Sequence, residues 1–224
     1  YSSAASDVYK RQKLNFFNKE SDKYDYSECK EKNAKQEDQL LLIPFDKEDF
    51  YSAFRKASSN ANEITIVSMD FKDKKLFNII DFSAGNGAKI HFIASSDWYY
   101  SYILKKEIGT ANPDDISMAL KIKNKYPERV TISFIENNFY FGSVGNTLHH
   151  KLALFRGGEN TVITGTTNMN TGAINHNLDQ AYIFHGESIV NEYSSYIDRI
   201  NFRSIPLNEM PTVLPELSVG DIQR

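Results

Sequence analysis

Segments with the apolar pattern of strands alternate with segments of helical spacing in the first half of the chain. Strand-like stretches begin at Leu40 and occupy residues 63–69 and 89–94. Between them, residues 46–57 and 73–82 place apolar side chains at the spacing of an amphipathic helix. This alternation predicts an α/β domain with a central mixed, partly parallel sheet. Because crossovers between parallel strands are right-handed, we expect helices on both faces of that sheet.

Further elements follow in the second half of the chain. Residues 129–135 and 179–184 have the pattern of strands, and residues 188–200 have helical spacing. An aromatic cluster precedes them, formed by Trp98, Tyr99, Tyr100 and Tyr102. Such rings stack on bases, line a lipid groove or pack a helix against a sheet, and we favour packing.

The length of 224 residues fits one domain with short appendages. Residues 1–37 join a linker-like start to a mixed-charge stretch with few apolar residues, so we predict a poorly ordered segment there. The main domain is expected at residues 38–204. Residues 205–224 contain three prolines and are predicted to form a tail or linker.

Charge and cysteine content exclude several classes of protein. The formal net charge is -3, so the overall charge gives no indication of a general affinity for nucleic acid or anionic membranes. Cys29 is the only cysteine, which excludes an internal disulfide and a cysteine-based metal site. No apolar run approaches the roughly 18 residues of a membrane span, and the first residues lack the apolar core of a signal peptide. These features favour an intracellular protein.

Residues 149–170 concentrate the chemically active side chains of the chain. Residues 148–155 have a strand pattern, in which His149 and Lys151 point to one face and His150 to the other. Two glycines then predict a turn, and residues 161–164 a second strand. A bend at Gly165 brings two more polar residues beside the first pair, Thr166 and Asn168.

These groups together suit a phosphodiester. The ammonium of Lys151 neutralises the anionic phosphate, Thr166 and Asn168 offer neutral donors, and the neutral imidazole of His149 is a nucleophile near neutral pH. No cofactor or metal is required, because these groups supply the charge that a divalent ion would otherwise provide. The other histidines sit in different elements without the spacing of metal ligands, namely His91, His176 and His185.

The spacing resembles that of the phospholipase D superfamily, whose motif is His-x-Lys-x4-Asp followed by Gly-Ser-x-x-Asn or Gly-Ser-x-Asn. The matching residues here are His149, Lys151, Gly165, Thr166 and Asn168. Thr166 stands at the Ser position and keeps its hydroxyl. Arg156 stands at the Asp position and reverses a charge. Family members carry a carboxylate about eleven residues after the motif Asn, and Asp179 lies there.

The resemblance implies a phosphodiesterase that works through a phosphohistidine. In that family two copies of the motif face each other, one His attacking phosphorus and the other protonating the leaving oxygen. His149 would be the nucleophile, Asp179 would orient it, and Lys151, Thr166 and Asn168 would bind the phosphate. This chain has one copy, so a second must come from the partner in a homodimer or from a missing second half.

Three functional alternatives follow from the resemblance. The first is a homodimeric phosphodiesterase acting on nucleic acid, which needs a basic, aromatic-lined groove. The second is half of a two-motif phospholipase or phosphatidyl transferase. The third is a degenerate domain kept for binding or assembly, which Arg156 favours. An aromatic segment before the motif is predicted as either a substrate lip or a strand end, formed by Phe139, Tyr140 and Phe141.

Overall fold

The computed structural model describes residues 38–107, 109, 116–136 and 148–213. Three predicted features lie outside these residues: the charged segment 1–37 with Cys29, the aromatic segment 139–141 and the end of the chain after Val213. The chain divides into two units, residues 1–39 and residues 40–224. The description below concerns the second unit.

Eight strands form one mixed sheet in the order β1-β7-β6-β5-β2-β3-β4-β8. Strands β2, β3 and β4 run parallel to one another, whereas β5, β6, β7 and β8 join by antiparallel pairing. The strands are β1 (Gln39–Ile43), β2 (Glu63–Ser68), β3 (Lys89–Ser95), β4 (Val130–Ile135), β5 (Lys151–Arg156), β6 (Thr161–Gly165), β7 (Asp179–His185) and β8 (Ser204–Pro206).

The described residues also form six α-helices and one short 3-10 helix, which follows the last strand. The α-helices are α1 (Lys47–Ser59), α2 (Lys74–Gly85), α3 (Ser96–Glu107), α4 (Ser117–Lys125), α5 (Thr171–His176) and α6 (Glu187–Asn201). The 3-10 helix is Leu207–Glu209. The predicted α/β class with a mixed, partly parallel sheet is therefore confirmed.

Each face of the sheet buries a separate apolar core. Helices α1 and α2 cover the first face, where Phe54 packs edge-on against Phe155 with ring centroids 5.0 Å apart. On the second face, Val190 and Ile197 of α6 pack over apolar side chains of the central strands. Alternation along β5 divides its side chains between the two cores. Helices thus lie on both faces, as the sequence pattern predicts.

The two first helices begin in different ways. Asp73 caps α2, since its side chain accepts a hydrogen bond from the Leu76 amide at 3.0 Å. Asp46, the residue before α1, makes no such capping bond with its side chain. Its carboxylate instead accepts the Leu42 amide at 2.9 Å, which stabilises the turn between β1 and α1.

The aromatic cluster of α3 packs against the sheet. Trp98, Tyr99 and Tyr100 are each buried, and the ring of Tyr99 lies 5.2 Å from that of Phe134 in β4. Burial leaves no ring face of these three residues open for a base or an acyl chain. The packing prediction is thus confirmed for them.

The sheet continues beyond the predicted domain boundary at residue 204. Strand β8 pairs with β4, Met210 is buried, and the Tyr99 hydroxyl donates to the carbonyl of Pro211 at 3.0 Å. The described part of the supposed tail therefore belongs to the domain. Among the described residues, no helix is long and apolar enough to cross a membrane.

Candidate active site

Four strand ends meet at one edge of the sheet. Ser68, the last residue of β2, pairs with Lys151, the first residue of β5. Leu152 pairs with Thr164 near the end of β6, and Gly165 pairs with Ala181 near the start of β7. This register brings the side chains before β5, after β6 and at the start of β7 to the same edge.

Lys151 lies at the centre of this edge and is only 7% exposed. Its Nζ donates a hydrogen bond to the main-chain carbonyl of His149 at 3.0 Å. Burial lowers the pKa of Lys151, and the negative charges of Asp179 and Asp70 partly offset that effect. Among the described residues, the buried ammonium is thus held by its bond to the His149 carbonyl.

The two adjacent histidines occupy different environments. His149 is exposed, next to Lys151, and within the described residues its ring makes no hydrogen bond. The Nε2 atom of His150 instead hydrogen-bonds the Tyr196 hydroxyl of α6, and the two rings lie 5.5 Å apart. Burial lowers the pKa of His150, and the charges of Lys151 and His149 lower it further. His149 is therefore the more exposed of the two rings.

Gly165 makes the bend after β6 possible. Its φ of +145° lies in the region that favours glycine, and an added Cβ would fall 2.2 Å from the Gln180 carbonyl oxygen. The bend also lets Thr166 bond back to β7. Its amide donates to that same carbonyl at 2.9 Å, and its hydroxyl accepts the Gln180 amide at 3.0 Å.

The Thr166 hydroxyl also donates to Oδ1 of Asp179 at 2.8 Å. Its only proton is thereby used, so a bond to phosphate would require this contact to break. Asp179 was expected to orient His149, but in this arrangement it contacts Thr166. Its second oxygen, Oδ2, is buried and has no hydrogen-bond partner among the described residues, and the same holds for Oδ1 of Asn168.

Unpartnered buried oxygens are costly, because each loses the water it would bond in the unfolded chain. The penalty is about 1–3 kcal/mol for each group. Both atoms, on Asn168 and Asp179, lie at this edge of the sheet, where a donor such as water or a ligand would satisfy them.

Sequence reasoning missed Asp70, which follows β2 at the same edge. Its carboxylate lies 3.1 Å from the Lys72 ammonium and accepts from the Asn170 side-chain amide at 3.5 Å. Asn170 also caps α5, since its Oδ1 accepts the Ala173 amide at 2.8 Å. Its position in the sequence could have indicated Asp70, because it lies two residues after the buried parallel strand β2. Binding sites of open α/β sheets lie where such strands end.

Arg156 lies far from this edge. It is the last residue of β5, five residues after Lys151, which places it roughly 16 Å along the strand. It pairs in register with Glu63 of β2, and its carbonyl accepts the Asn62 amide at 2.7 Å. Arg156 is half-buried within the strand, and its Nε is buried with no hydrogen-bond partner among the described residues.

Arg156→Asp tests whether the charge reversal disables the motif. Because Arg156 is remote from Lys151, we expect turnover to change by less than about tenfold, or about 1.4 kcal/mol of barrier. Steady-state kinetics on a nitrophenyl phosphodiester measure the change in turnover. Thermal unfolding is the control, because the new carboxylate lies opposite Glu63 and like charges in a cross-strand pair destabilise the sheet. A gain of several hundredfold would show that the natural motif is disabled.

No cluster of three or more His, Cys, Asp or Glu side chains that could hold a metal ion occurs among the described residues. Two of the remaining histidines bond hydroxyl groups. His91 contacts Thr131 at 2.6 Å, and His185 contacts Thr161 at 3.2 Å. His176 ends α5 and is exposed.

Comparisons with known proteins agree with this geometry. A family model described as "Cardiolipin synthase, PLD-like domain" matches residues 32–201, which is well over half of the chain. The chain matches no curated protein sequence.

Solved structures share the fold at low sequence identity. NucT from Helicobacter pylori is 17% identical with a TM-score of 0.57, and the match covers 76% of this chain and 99% of NucT. Nuc from Salmonella typhimurium, a phospholipase D family member, is 13% identical with a TM-score of 0.56, covering 76% and 98% of the two chains. Phosphatidylserine synthase from Haemophilus influenzae is 10% identical with a TM-score of 0.57, covering 77% of this chain and 40% of the synthase.

The family model covers seven of the eight strands and the candidate site, and the solved structures share the fold. The chain belongs to the phospholipase D superfamily.

Proposed function

We propose that the protein is a phosphodiesterase that hydrolyses its substrate through a phosphohistidine on His149. The observation that supports this most is the pairing of a buried cation with an exposed imidazole. Lys151 is 7% exposed and is held by the carbonyl of His149. A buried ammonium beside an accessible nucleophile suits an anionic phosphorus centre, since charge is stronger in a site shielded from water.

In the proposed reaction, a neutral ring nitrogen of His149 attacks phosphorus. The nitrogen–phosphorus bond forms as the bond to the leaving oxygen breaks, and a second imidazole gives that oxygen its proton. Water then attacks the phosphohistidine, loses its proton to the second imidazole and frees His149. Lys151 stabilises the negative non-bridging oxygens, and the side-chain amide of Asn168 donates to one of them.

Asp179 is proposed to stabilise the imidazole during this cycle. Thr166 holds one carboxylate oxygen at 2.8 Å and so fixes the orientation of the carboxylate. The other oxygen is buried and has no partner in the part of the chain that the structure describes. An imidazole N–H would satisfy it and would favour the positive ring that forms when the nitrogen bonds phosphorus.

We propose that a second copy of this chain supplies the second imidazole. The coverage of the neighbours supports this arrangement, because one chain of this size corresponds to nearly the whole of NucT and Nuc but to 40% of the phosphatidylserine synthase. A symmetric pair would bring two copies of the His149 edge together about a two-fold axis.

Mixing wild-type and His149→Asn chains tests the shared site. If every active site needs one His149 from each copy, equal amounts of the two chains should retain about one quarter of the activity after random re-pairing. Retention of about one half would show that each chain acts alone. Size-exclusion chromatography with light scattering establishes that the re-paired species are dimers.

Hydrolysis of bis(4-nitrophenyl) phosphate is the direct test of the proposed activity. We expect turnover to survive EDTA, because Lys151, Asn168 and the paired imidazoles supply the charge that a metal would provide. Single-stranded DNA and phospholipid vesicles, assayed in parallel, distinguish the two natural classes of phosphodiester. Loss of turnover on chelation, restored by a divalent ion, would contradict the mechanism.

A further inference from the structure

Asp73 is a buried carboxylate that joins three helices. It is 2% exposed and caps α2, where its Oδ1 accepts the Leu76 amide at 3.0 Å. Its Oδ2 accepts two hydroxyl groups, from Tyr51 of α1 at 2.9 Å and from Thr171 of α5 at 3.0 Å. These three hydrogen bonds offset the cost of burying the carboxylate. They also attach α1 and α5 to the start of α2.

The backbone before α2 holds the same part of the chain as the Asp73 side chain does. The amides of Lys72 and Asp73 donate to the Met169 carbonyl at 2.9 and 3.2 Å. Phe71 forms a parallel bridge with Met169, which is itself buried. The loop that leads into α5 is therefore attached to the start of α2 at two points, the Met169 carbonyl and the Thr171 hydroxyl.

Asn168 lies between these attachments and another on β7. Thr167, the residue before it, is buried, and its hydroxyl donates to the Gln180 carbonyl at 3.2 Å. Met169, the residue after it, is bonded to the backbone before α2. The Oδ1 atom of Asn168 has no hydrogen-bond partner among the described residues. The direction of the Asn168 side chain thus depends on the bonds that its neighbours make.

We propose that Asp73 is a positioning residue, which holds the loop of residues 167–171 through Thr171 and thereby orients the Asn168 amide for the substrate phosphate. The inference rests on the proposed phosphodiesterase function. Asp73 acts through Asn168 and does not itself bind phosphate. A displacement of about 1 Å at a group that binds the transition state can lower the rate about a hundredfold, so release of this loop should reduce kcat.

A carboxylate that only stabilises the fold would give different results. Substituting Asp73 itself would also remove the cap of α2, so the test changes its two hydroxyl partners instead. Thr171→Val and Tyr51→Phe each remove one hydroxyl from the same Oδ2 atom. Both should lower the melting temperature. Only Thr171 belongs to the loop that carries Asn168, so only its variant should affect turnover.

Thr171→Val should lower kcat on bis(4-nitrophenyl) phosphate about tenfold and change KM by less than about twofold, because the Asn168 amide is misplaced in the transition state. Tyr51→Phe should change kcat by less than about twofold, since Asp73 keeps its bonds to Leu76 and Thr171. Thr171→Ser retains the hydroxyl and should keep most of the activity. Thermal unfolding of each variant measures the effect on stability.

Combining Thr171→Val with Asn168→Ala tests whether Asp73 acts through Asn168. Once the Asn168 amide is absent, Thr171→Val should cause little further loss of kcat. Hydrogen exchange read by mass spectrometry tests the attachment without any activity. The Lys72 and Asp73 amides, which donate to Met169, should exchange faster in Thr171→Val than in the wild type.

Equal losses of kcat in Thr171→Val and Tyr51→Phe would overturn the positioning role, and so would an undiminished loss when Thr171→Val is combined with Asn168→Ala. Absence of any wild-type turnover would instead overturn the proposed function. Exchange of the Lys72 and Asp73 amides would then decide whether Thr171 holds the loop, and unchanged exchange would contradict it. If Thr171→Val fails to fold, Thr171→Ala removes the same hydroxyl and gives the same comparisons.

Discussion

His149→Asn is expected to abolish hydrolysis of bis(4-nitrophenyl) phosphate, with a loss of about ten-thousandfold or more. Asparagine has a similar polarity and fits the exposed position before β5, so the fold should remain intact. The side chain nevertheless lacks a nucleophilic ring nitrogen, so no phosphorus–nitrogen bond can form. Alkaline quenching, which preserves the acid-labile phosphorus–nitrogen bond, and phosphohistidine detection should find the intermediate only in the wild type.

His150→Asn is the matched control, because it changes the neighbouring residue in the same way. His150 bonds Tyr196 on the far side of the strand, so we expect most of the activity to remain. The variant loses one hydrogen bond and should be less stable by about 1 kcal/mol. Equal losses of activity at both positions would contradict the different environments of the two rings.

Lys151→Met should separate activity from stability. Removing the ammonium should reduce kcat/KM by about a thousandfold, since the buried charge faces the developing negative charge on phosphate. The fold should be as stable as the wild type or more stable at neutral pH, because a methionine of similar volume replaces a buried cation. Chemical denaturation and steady-state kinetics measure the two effects.

The sign of the pH effect on stability follows from the lowered pKa of Lys151. In the window between that lowered pKa and the ordinary value of 10.5, the unfolded chain binds more protons than the folded chain. The wild type therefore gains stability as pH rises through this window, and below it the burial penalty is present in full. Lys151→Met should lack this gain. If the difference in unfolding free energy between the wild type and Lys151→Met does not change with pH, this would contradict the inference that Lys151 is a buried ammonium.

The sequence predicted most of the regular elements because their apolar periods are local. The strand expected at residues 63–69 is observed at Glu63–Ser68, and the helix expected at residues 188–200 is observed at Glu187–Asn201. Each of these segments carries enough buried side chains to fix its own period. Strand β8 has only three residues, so it has no period to recognise and depends on pairing with β4.

The candidate site was predictable only in part. The spacing of His149 and Lys151 indicated a shared site, but the burial of Lys151 depends on the loops that close around it. Asp70 was missed because it reaches the site through the register of β2 with β5, which links distant parts of the chain. The contact between Thr166 and Asp179 likewise depends on the sharp bend at Gly165, not on a residue type.

The antiparallel pairing of β2 with β5 has a consequence for how the protein acquires its site. The two strands are separated in the chain by α2, β3, α3, α4 and β4, so this pairing closes a long loop of polypeptide. Contacts of such high sequence separation form slowly, because the entropy of loop closure is lost before the pairing is gained. The β5–β6 hairpin can form early, with the turn at Gly157 and Gly158. The chain thus assembles the proposed site only after β2 and β5, which lie far apart in the sequence, have paired.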